Sequence, residues 1–172
     1  MGILFYAYKA YREFEEFIIA YKINLKYYFM IYLGSDHRGF KLKEELEAYL
    51  KSHDITYKDL CACEYDKEDS YVEFAKNVAK AVLQDKGSKG IVVCGSGIGV
   101  SIVANRFKGI RAGLFFNKEQ TKEAVEHDHV NVAALPADYL TKEQAIKIIK
   151  AFLETEPINE EKYIKRIQDI DK

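Results

Sequence analysis

A cysteine followed by a glycine-rich loop is the stretch of this sequence best suited to chemistry. The apolar run Ile91–Cys94 predicts a buried strand, and Gly95, Gly97 and Gly99 follow it at every second position. The pattern of Val100–Arg106 then predicts a helix. Glycines allow a tight turn and let a ligand approach the backbone, where the N–H groups of a first helical turn can meet it. The layout indicates an anion site with a nucleophile or base at the carboxyl end of a strand.

Two other interpretations apply to this stretch. A dinucleotide fingerprint needs G-x-G-x-x-G, whereas the third glycine of G-S-G-I-G comes one residue early. No acidic residue stands clearly at the end of a following strand to bind a ribose hydroxyl. The other alternative is that Cys94 is a small, inert core residue, as free cysteines often are. The adjacent glycine loop favours a functional cysteine.

Two further clusters carry titratable side chains. Asp36 and His37 follow the first predicted strand and suit proton transfer or the binding of hydroxyl groups and an anion. The same residues are also ordinary turn composition. His127, Asp128 and His129 follow a predicted helix. Consecutive residues face opposite ways on an extended chain, and no histidine–carboxylate set at i, i+4 supports them, so one histidine acting as a general acid is favoured over a metal site.

A basic pair lies near the C-terminus. Lys162 and Arg166 are four residues apart, on one face of a predicted helix, and such a pair can clamp a phosphate group. The alternative is a solvated basic stripe that also includes Lys165.

Composition limits the kinds of partner. The 172 residues carry a formal net charge of -1, which predicts no strong field towards nucleic acid or an anionic membrane. The cysteine count of 3 is odd, and Cys61 and Cys63 lack a second pair at zinc spacing, so we expect reduced thiols in a cytoplasmic protein. No apolar run approaches the length of a membrane span.

The first 29 residues differ from the rest of the chain. They are rich in tyrosine and phenylalanine, and charges interrupt each apolar run, which does not fit a signal peptide. Phe14, Phe17, Ile18 and Tyr21 recur at helical spacing, which allows a short amphipathic helix. We expect residues 1–29 to be an N-terminal extension or a mis-assigned start, and residues 30–172 to form the working domain.

From Met30 onwards, strands and helices alternate. This rhythm predicts a three-layer α/β/α sandwich around a five-stranded, parallel, Rossmann-like sheet. The loops after strands one, three and five would open on one edge, so Asp36, His37 and the Cys94 loop should meet there. His127 precedes strand five and joins them only if its helix ends near that edge. The predicted strands are Met30–Gly34, Ile55–Leu60, a run ending at Cys94, and segments within Gly109–Phe115 and Val130–Leu135. The first predicted helix buries Leu42, Leu46, Tyr49 and Leu50, and the second, Tyr71–Leu83, buries Phe74, Val78 and Val82. The other predicted helices are Val100–Arg106, Lys118–Glu126, Lys142–Leu153 capped by Thr141, and Glu160–Ile170.

Four segments give the domain a specific resemblance. They are Gly34–Phe40 (G-S-D-H-R-G-F), Cys94–Arg106 (C-G-S-G-I-G-V-S followed by A-N-R), Gly109–Ala112 (G-I-R-A) and Glu126–Val132 (E-H-D-H-V-N-V). From Met30 to the end, about five-sixths of the chain, the sequence resembles the ribose-5-phosphate isomerase B family, which includes the galactose-6-phosphate isomerase subunits.

The resemblance implies an aldose–ketose isomerase of phosphorylated sugars that uses neither a metal nor an organic cofactor. In such enzymes a base moves a proton between adjacent carbons through an enediolate. Cys94 would be the base, and a helix N-terminus favours its thiolate. Ser96 would assist proton exchange among the oxygens, and His127 with Asp36 would open the furanose ring.

Substrate binding is also implied by the resemblance. Backbone N–H groups of the glycine loop would hold the developing enediolate oxygen. His37, Lys162 and Arg166 would face the phosphate, and Tyr71 would line the pocket. The implied substrate-binding residues are His37, Tyr71, Gly95, Gly97, Ile98, Gly99, Asp128, Asp138, Lys162 and Arg166. The family forms homodimers, and sometimes tetramers, with shared active sites, so His127 would serve the partner's Cys94.

The sequence departs from the family pattern at several positions. Asp128 replaces an asparagine, Asp138 replaces an arginine and Lys162 replaces an arginine, while Ser70-Tyr71-Val72 stands for Asp-Tyr-Pro. Ribose 5-phosphate is the expected substrate, with galactose or allose 6-phosphate as alternatives. A non-catalytic sugar-phosphate-binding module and a thiol acyl transferase that uses Cys94 and His127 are the other hypotheses.

Overall fold

The computed structural model describes residues 29–61, 65–170 and 172. The helix expected near Phe14–Tyr21, and with it the prediction of an N-terminal extension, lies outside the described residues, as does Cys63. Within the described ranges, no helix has the length and apolar character needed to cross a bilayer.

The described residues contain five parallel strands in one sheet: β1 Ile31–Ser35, β2 Tyr57–Asp59, β3 Lys89–Cys94, β4 Ala112–Leu114 and β5 Val132–Pro136. Their order across the sheet is β2-β1-β3-β5-β4. The central strands β1, β3 and β5 are almost wholly buried, as expected of a parallel sheet covered on both faces. The predicted parallel α/β architecture is confirmed.

Six helices lie around the sheet in the described part of the chain. They are α1 Phe40–Ser52, α2 Tyr71–Gln84, α3 Ile98–Ala104, α4 Lys118–Asp128, α5 Lys142–Glu154 and α6 Glu161–Ile170. Apolar side chains of α1, α4 and α5 share one core with Leu33, Ile91 and Leu135. Those of α2 and α3 share a second core with Val92 and Cys94 on the opposite face. The sheet therefore lies between two helical layers, and α6 packs on α4.

Local signals placed most element ends correctly. Thr141 caps α5 and forms a capping box with Gln144, because each side chain bonds the other residue's backbone N–H. Helix α3 begins at Ile98, two residues earlier than expected, because Gly97 adopts φ 71° and turns the chain directly into the helix. Tyr49 and Phe74, expected to be buried, are only partly buried.

Strand register brings the ends of the three central strands level. Ser35 pairs with Val93, and Cys94 pairs with Pro136. The loops that follow β1, β3 and β5 therefore leave the sheet side by side. This edge, which we call the carboxyl edge, is where the predicted Asp36 and Cys94 loops lie.

A partly buried lysine at the opposite end of β3 makes stability depend on pH. The Lys89 ammonium donates to the Phe152 carbonyl (2.7 Å) and lies 4.8 Å from the Phe152 ring centre. Burial lowers the pKa of Lys89 to about 8. An unfolded lysine keeps its proton up to a pKa of about 10.4. The unfolded chain therefore binds the extra proton between these values, and the contribution of Lys89 to stability rises with pH from about 8 to about 10.4.

We expect Lys89→Met to raise the free energy of unfolding at pH 7 by about 2 kcal/mol, because the desolvation cost of the ammonium, which its hydrogen bond to the Phe152 carbonyl offsets only in part, disappears. The gain should shrink as pH rises towards 10. Urea unfolding at pH 7, 8, 9 and 10 measures both effects. Lys58→Met, at an exposed position of β2, is the control and should leave the pH dependence unchanged. A gain from Lys89→Met that is equal at all four pH values would contradict the assignment.

Candidate active site

Cys94 is the last residue of β3, and its thiol lies beneath the glycine loop that follows. Cys94 is 4% exposed, and the Gly97 N–H donates to its Sγ at 3.1 Å. A donor aimed at sulfur stabilises a thiolate more than a neutral thiol. The Cys94 and Gly95 carbonyls accept from the N–H groups of Ala137 and Asp138 (2.9 and 3.0 Å), which fixes the loop to the chain after β5. The Cys94 thiol is therefore held in a fixed position at the carboxyl edge.

Two glycines of the loop have steric reasons to be glycine. Gly97 has a left-handed φ, and a methyl group added there would overlap Leu114. A Cβ at Gly99 would come within 2.6 Å of Cε2 of Tyr71, so the missing side chain lets the Tyr71 ring lie over the start of α3. Ser96 is half-buried beside them, and its Oγ accepts the Ile98 N–H at 3.3 Å. Tyr71 thus joins the loop as the resemblance implies.

Asp36 is a buried carboxyl group next to the Cys94 loop. It is 6% exposed, and its Oδ1 accepts the Gly39 N–H at 2.9 Å. Its own N–H donates to the Val93 carbonyl (3.3 Å), one residue before Cys94. Burial raises the pKa of Asp36 above its ordinary value, and the Gly39 hydrogen bond opposes that rise. A carboxyl group with a raised pKa is suited to proton transfer.

His37 is held by a residue that the sequence did not indicate. The His37 N–H and the ring Nδ1 both lie on Oδ1 of Asp69, at 3.0 and 2.8 Å. The carboxylate can only accept, so Nδ1 carries the proton and Nε2 is the ring atom able to contact a ligand. Asp69 comes 32 positions later in the chain, which is why local patterns gave no sign of it.

Arg38 is a second residue beside the Cys94 loop that sequence reasoning did not single out. Its guanidinium lies against the Gly95 backbone, where an added methyl group would overlap it, and its Nη2 pairs with the Asp138 carboxylate. The negative charge of the Asp138 carboxylate is therefore balanced by the Arg38 guanidinium, which comes from the loop after β1. The structure places Asp138 at the carboxyl edge, paired with Arg38.

The remaining predicted residues lie elsewhere. The His127 ring stacks on Tyr163, with the ring centres 4.6 Å apart and the planes 8° from parallel. The Lys162 ammonium and the Arg166 guanidinium lie 4.5 and 5.9 Å from the Tyr163 ring centre. The Asp128 carbonyl accepts from Nε of Arg111 (3.1 Å), just before β4. His127, Asp128, Lys162 and Arg166 thus form a second group, where α4 meets α6.

The condition for His127 to meet Cys94 within one chain, that α4 ends near the carboxyl edge, is not met. Helix α4 starts after the carboxyl end of β4 and runs back to the amino end of β5, as the helix of a β–α–β crossover must. His127 and Asp128 therefore lie at the edge opposite Cys94. One chain thus holds two groups of candidate site residues at opposite edges of its sheet.

A cavity of about 660 Å³ lies along β4, lined by Asn105, Ile110, Leu114 and Asp128 among others, and it does not include Cys94. Across the described ranges, no three His, Cys, Asp or Glu side chains are grouped to hold a metal ion.

Comparison with known proteins decides the family. A family model described as Ribose/Galactose Isomerase matches residues 31–170. The chain belongs to this family. The predicted family and its isomerase class are thereby confirmed.

Relatives and solved structures of the family agree. The chain is 35% identical over 126 residues to a probable ribose-5-phosphate isomerase B of Mycoplasma pneumoniae, covering 73% of this chain and 83% of the relative. A ribose 5-phosphate isomerase from Thermotoga maritima superposes with a TM-score of 0.79 at 34% identity, covering 84% of this chain and 98% of that one. The ribose-5-phosphate isomerase B of Mycoplasma genitalium, solved with bound ribulose-5-phosphate, has a TM-score of 0.78 at 34% identity and covers 83% and 94%.

Proposed function

We propose that the protein interconverts ribose 5-phosphate and ribulose 5-phosphate, with Cys94 as the base. The observation that carries the proposal is the buried Cys94 sulfur, held at the end of β3 by the Gly97 N–H. The thiolate takes the proton from carbon two of the open-chain aldose and returns it to carbon one. The C2–H bond breaks first, leaving an enediolate across C1 and C2; the hydroxyl proton then passes from O2 to O1 and the thiol returns its proton to C1, so the aldose becomes the ketose and no oxidant is needed.

The loop supplies the other chemical roles. Backbone N–H groups of Gly95–Gly99 stabilise the negative charge that develops on the enediolate oxygen. Ser96 carries protons between the two sugar oxygens. Asp36, whose pKa burial raises, acts with His127 in opening the furanose ring. Tyr71 packs against the loop at Gly99 and forms a wall of the pocket.

We infer that the active site is completed by a second copy of the chain. Within one chain, Cys94 and the His127 group lie at opposite edges of the sheet. A symmetric dimer can place the partner's His127 opposite Cys94 and so form the same site twice. The partner's Lys162 and Arg166 would then join His37 at the phosphate, with the partner's Asp128 near the substrate oxygens. A working cysteine base must stay reduced, so the proposal also implies a reducing compartment such as the cytoplasm.

Proton exchange measured by NMR tests the proposal. The protein is incubated in deuterated water with ribose 5-phosphate, and in parallel with allose 6-phosphate and galactose 6-phosphate. Deuterium entering carbon two of ribose 5-phosphate is the expected result. Exchange into a six-carbon sugar phosphate alone would change the proposed substrate but not the proposed chemistry. Exchange into none of the three sugars would favour a sugar-phosphate-binding module without catalysis. Running the assay on the full chain and on a chain that begins at Met30 tests the proposed domain start, since equal rates are expected.

Replacing Asp69 tests the support of His37. We expect Asp69→Ala to raise KM for ribose 5-phosphate by about tenfold, because the imidazole loses a charge-assisted hydrogen bond and its fixed tautomer. Long-range ¹H–¹⁵N spectra should show the ring proton leaving Nδ1. Glu68→Ala, one residue earlier and exposed, is the control and should change neither quantity. An unchanged tautomer in Asp69→Ala would refute the role given to Asp69.

A further inference from the structure

We propose that Arg38 binds the substrate's phosphate group, and that Asp138 holds the Arg38 guanidinium in the free protein and yields it when the phosphate arrives. The proposal rests on the function proposed above and adds a specificity-determining pair to that site. It starts from two contacts: the guanidinium lies against Gly95 of the base-bearing loop, and its Nη2 pairs with the Asp138 carboxylate.

The placement of Arg38 fits a ligand contact. Arg38 follows His37 directly, so the two side chains leave one loop at the carboxyl edge. The missing Gly95 side chain makes room for the guanidinium over the strand that ends in Cys94. A guanidinium offers five N–H donors in a planar fork, which matches the oxygens of a phosphate group.

Exposure shows that the pair can exchange partners. The Arg38 side chain is 56% exposed and that of Asp138 is 39% exposed. Ion pairs at such exposed positions contribute little to stability, since water competes for both groups. Asp138 itself is tied by its N–H to the Gly95 carbonyl at 3.0 Å, so its backbone stays at the site whether or not the pair is formed. A phosphate dianion can therefore displace the single negative charge of Asp138 from Arg38.

Competition between phosphate and Asp138 makes an unusual prediction. Removing Arg38 leaves the Asp138 carboxylate to repel the substrate, whereas removing Asp138 frees the guanidinium. The two single variants should shift phosphate affinity in opposite directions. If the pair were only a structural brace, breaking it from either side would have the same effect.

Kinetics of the two single variants and the double variant test this. We expect Arg38→Ala to raise both KM for ribose 5-phosphate and the inhibition constant of inorganic phosphate by about tenfold or more. Asp138→Ala should lower both by about threefold, and the double variant should fall between the two single variants. Arg38→Lys should be intermediate, since it keeps the charge but loses the fork. Lys41→Ala removes the same charge from the neighbouring surface and should change neither constant by more than about twofold.

Two results would overturn the proposal. One is a shift of KM in the same direction for Arg38→Ala and Asp138→Ala. The other is a rise in KM for Arg38→Ala without a rise in the inhibition constant of inorganic phosphate, which would place Arg38 on the sugar instead.

Binding measurements separate this proposal from the proposed function. Calorimetry of ribose 5-phosphate with Cys94→Ala proteins, alone and combined with Arg38→Ala or Asp138→Ala, makes the same comparison without turnover. If the wild-type protein failed to isomerise the sugar but the affinities shifted in opposite directions, the proposed function would fail and the Arg38 assignment would stand. Equal affinities in all three backgrounds, or no binding in any, would refute the assignment.

Discussion

Cys94→Ala is expected to lower kcat for ribose 5-phosphate by about a thousandfold or more, since removing a general base costs up to about 10⁴-fold. The Gly97 N–H is aimed at the Cys94 sulfur, and the neighbouring Ser96 hydroxyl is a far weaker base. Deuterium exchange at carbon two should fall by the same factor as kcat. KM should change little, since the phosphate contacts remain.

The matched control is the other described cysteine. The Cys61 sulfur accepts the Ser35 N–H at 2.7 Å, and burial raises the pKa of its thiol to about 11, so it remains protonated at neutral pH. Cys61→Ala should keep kcat within a few-fold of the wild type, and circular dichroism should show that both variants fold. Deuterium exchange at carbon two at the wild-type rate in a folded Cys94→Ala protein would refute the proposed mechanism.

Mixing two inactive variants should restore activity. His127→Ala alone is expected to lower kcat/KM by about a hundredfold, since ring opening loses its acid. In a mixed dimer of Cys94→Ala and His127→Ala subunits, one site takes Cys94 and His127 from different chains and is intact, while the other site lacks both. Random exchange makes half of the dimers mixed, each with one working site, so about a quarter of wild-type activity should return.

The expected recovery follows from the position of α4. His127 stacks on Tyr163 at the edge of the sheet opposite Cys94, and no side-chain rotation can bring it across the domain. Activity is measured after the subunits have been unfolded and refolded together, with native mass spectrometry to count mixed dimers. Mixing Cys94→Ala with the Cys94→Ala/His127→Ala double variant is the control, because no dimer then has an intact site. Mixed dimers that stay inactive would show that the site is not shared.

The comparison of Asp69 with Thr141 shows which contacts a sequence can reveal. Thr141 and its partner Gln144 are three residues apart, and their reciprocal hydrogen bonds follow from helix geometry alone. Asp69 lies 32 residues from His37, and Asp138 lies 100 residues from Arg38. Such pairs depend on how the strands are ordered in the sheet, and no local spacing records that order.

The sequence by itself determined the alternation of strands and helices, the caps and the glycine loop after Cys94, because each of these depends on side-chain period and backbone freedom within a few residues. It also indicated that Asp36 and Cys94 share an edge, since parallel strands carry their following loops to one side. Only the tertiary structure decided that His127 lies at the far edge, because the length and direction of α4 fix where that helix ends. The strand order β2-β1-β3-β5-β4 likewise brings Arg38 and Asp138 together beside Gly95, and long-range packing of this kind sets which charges meet at the site.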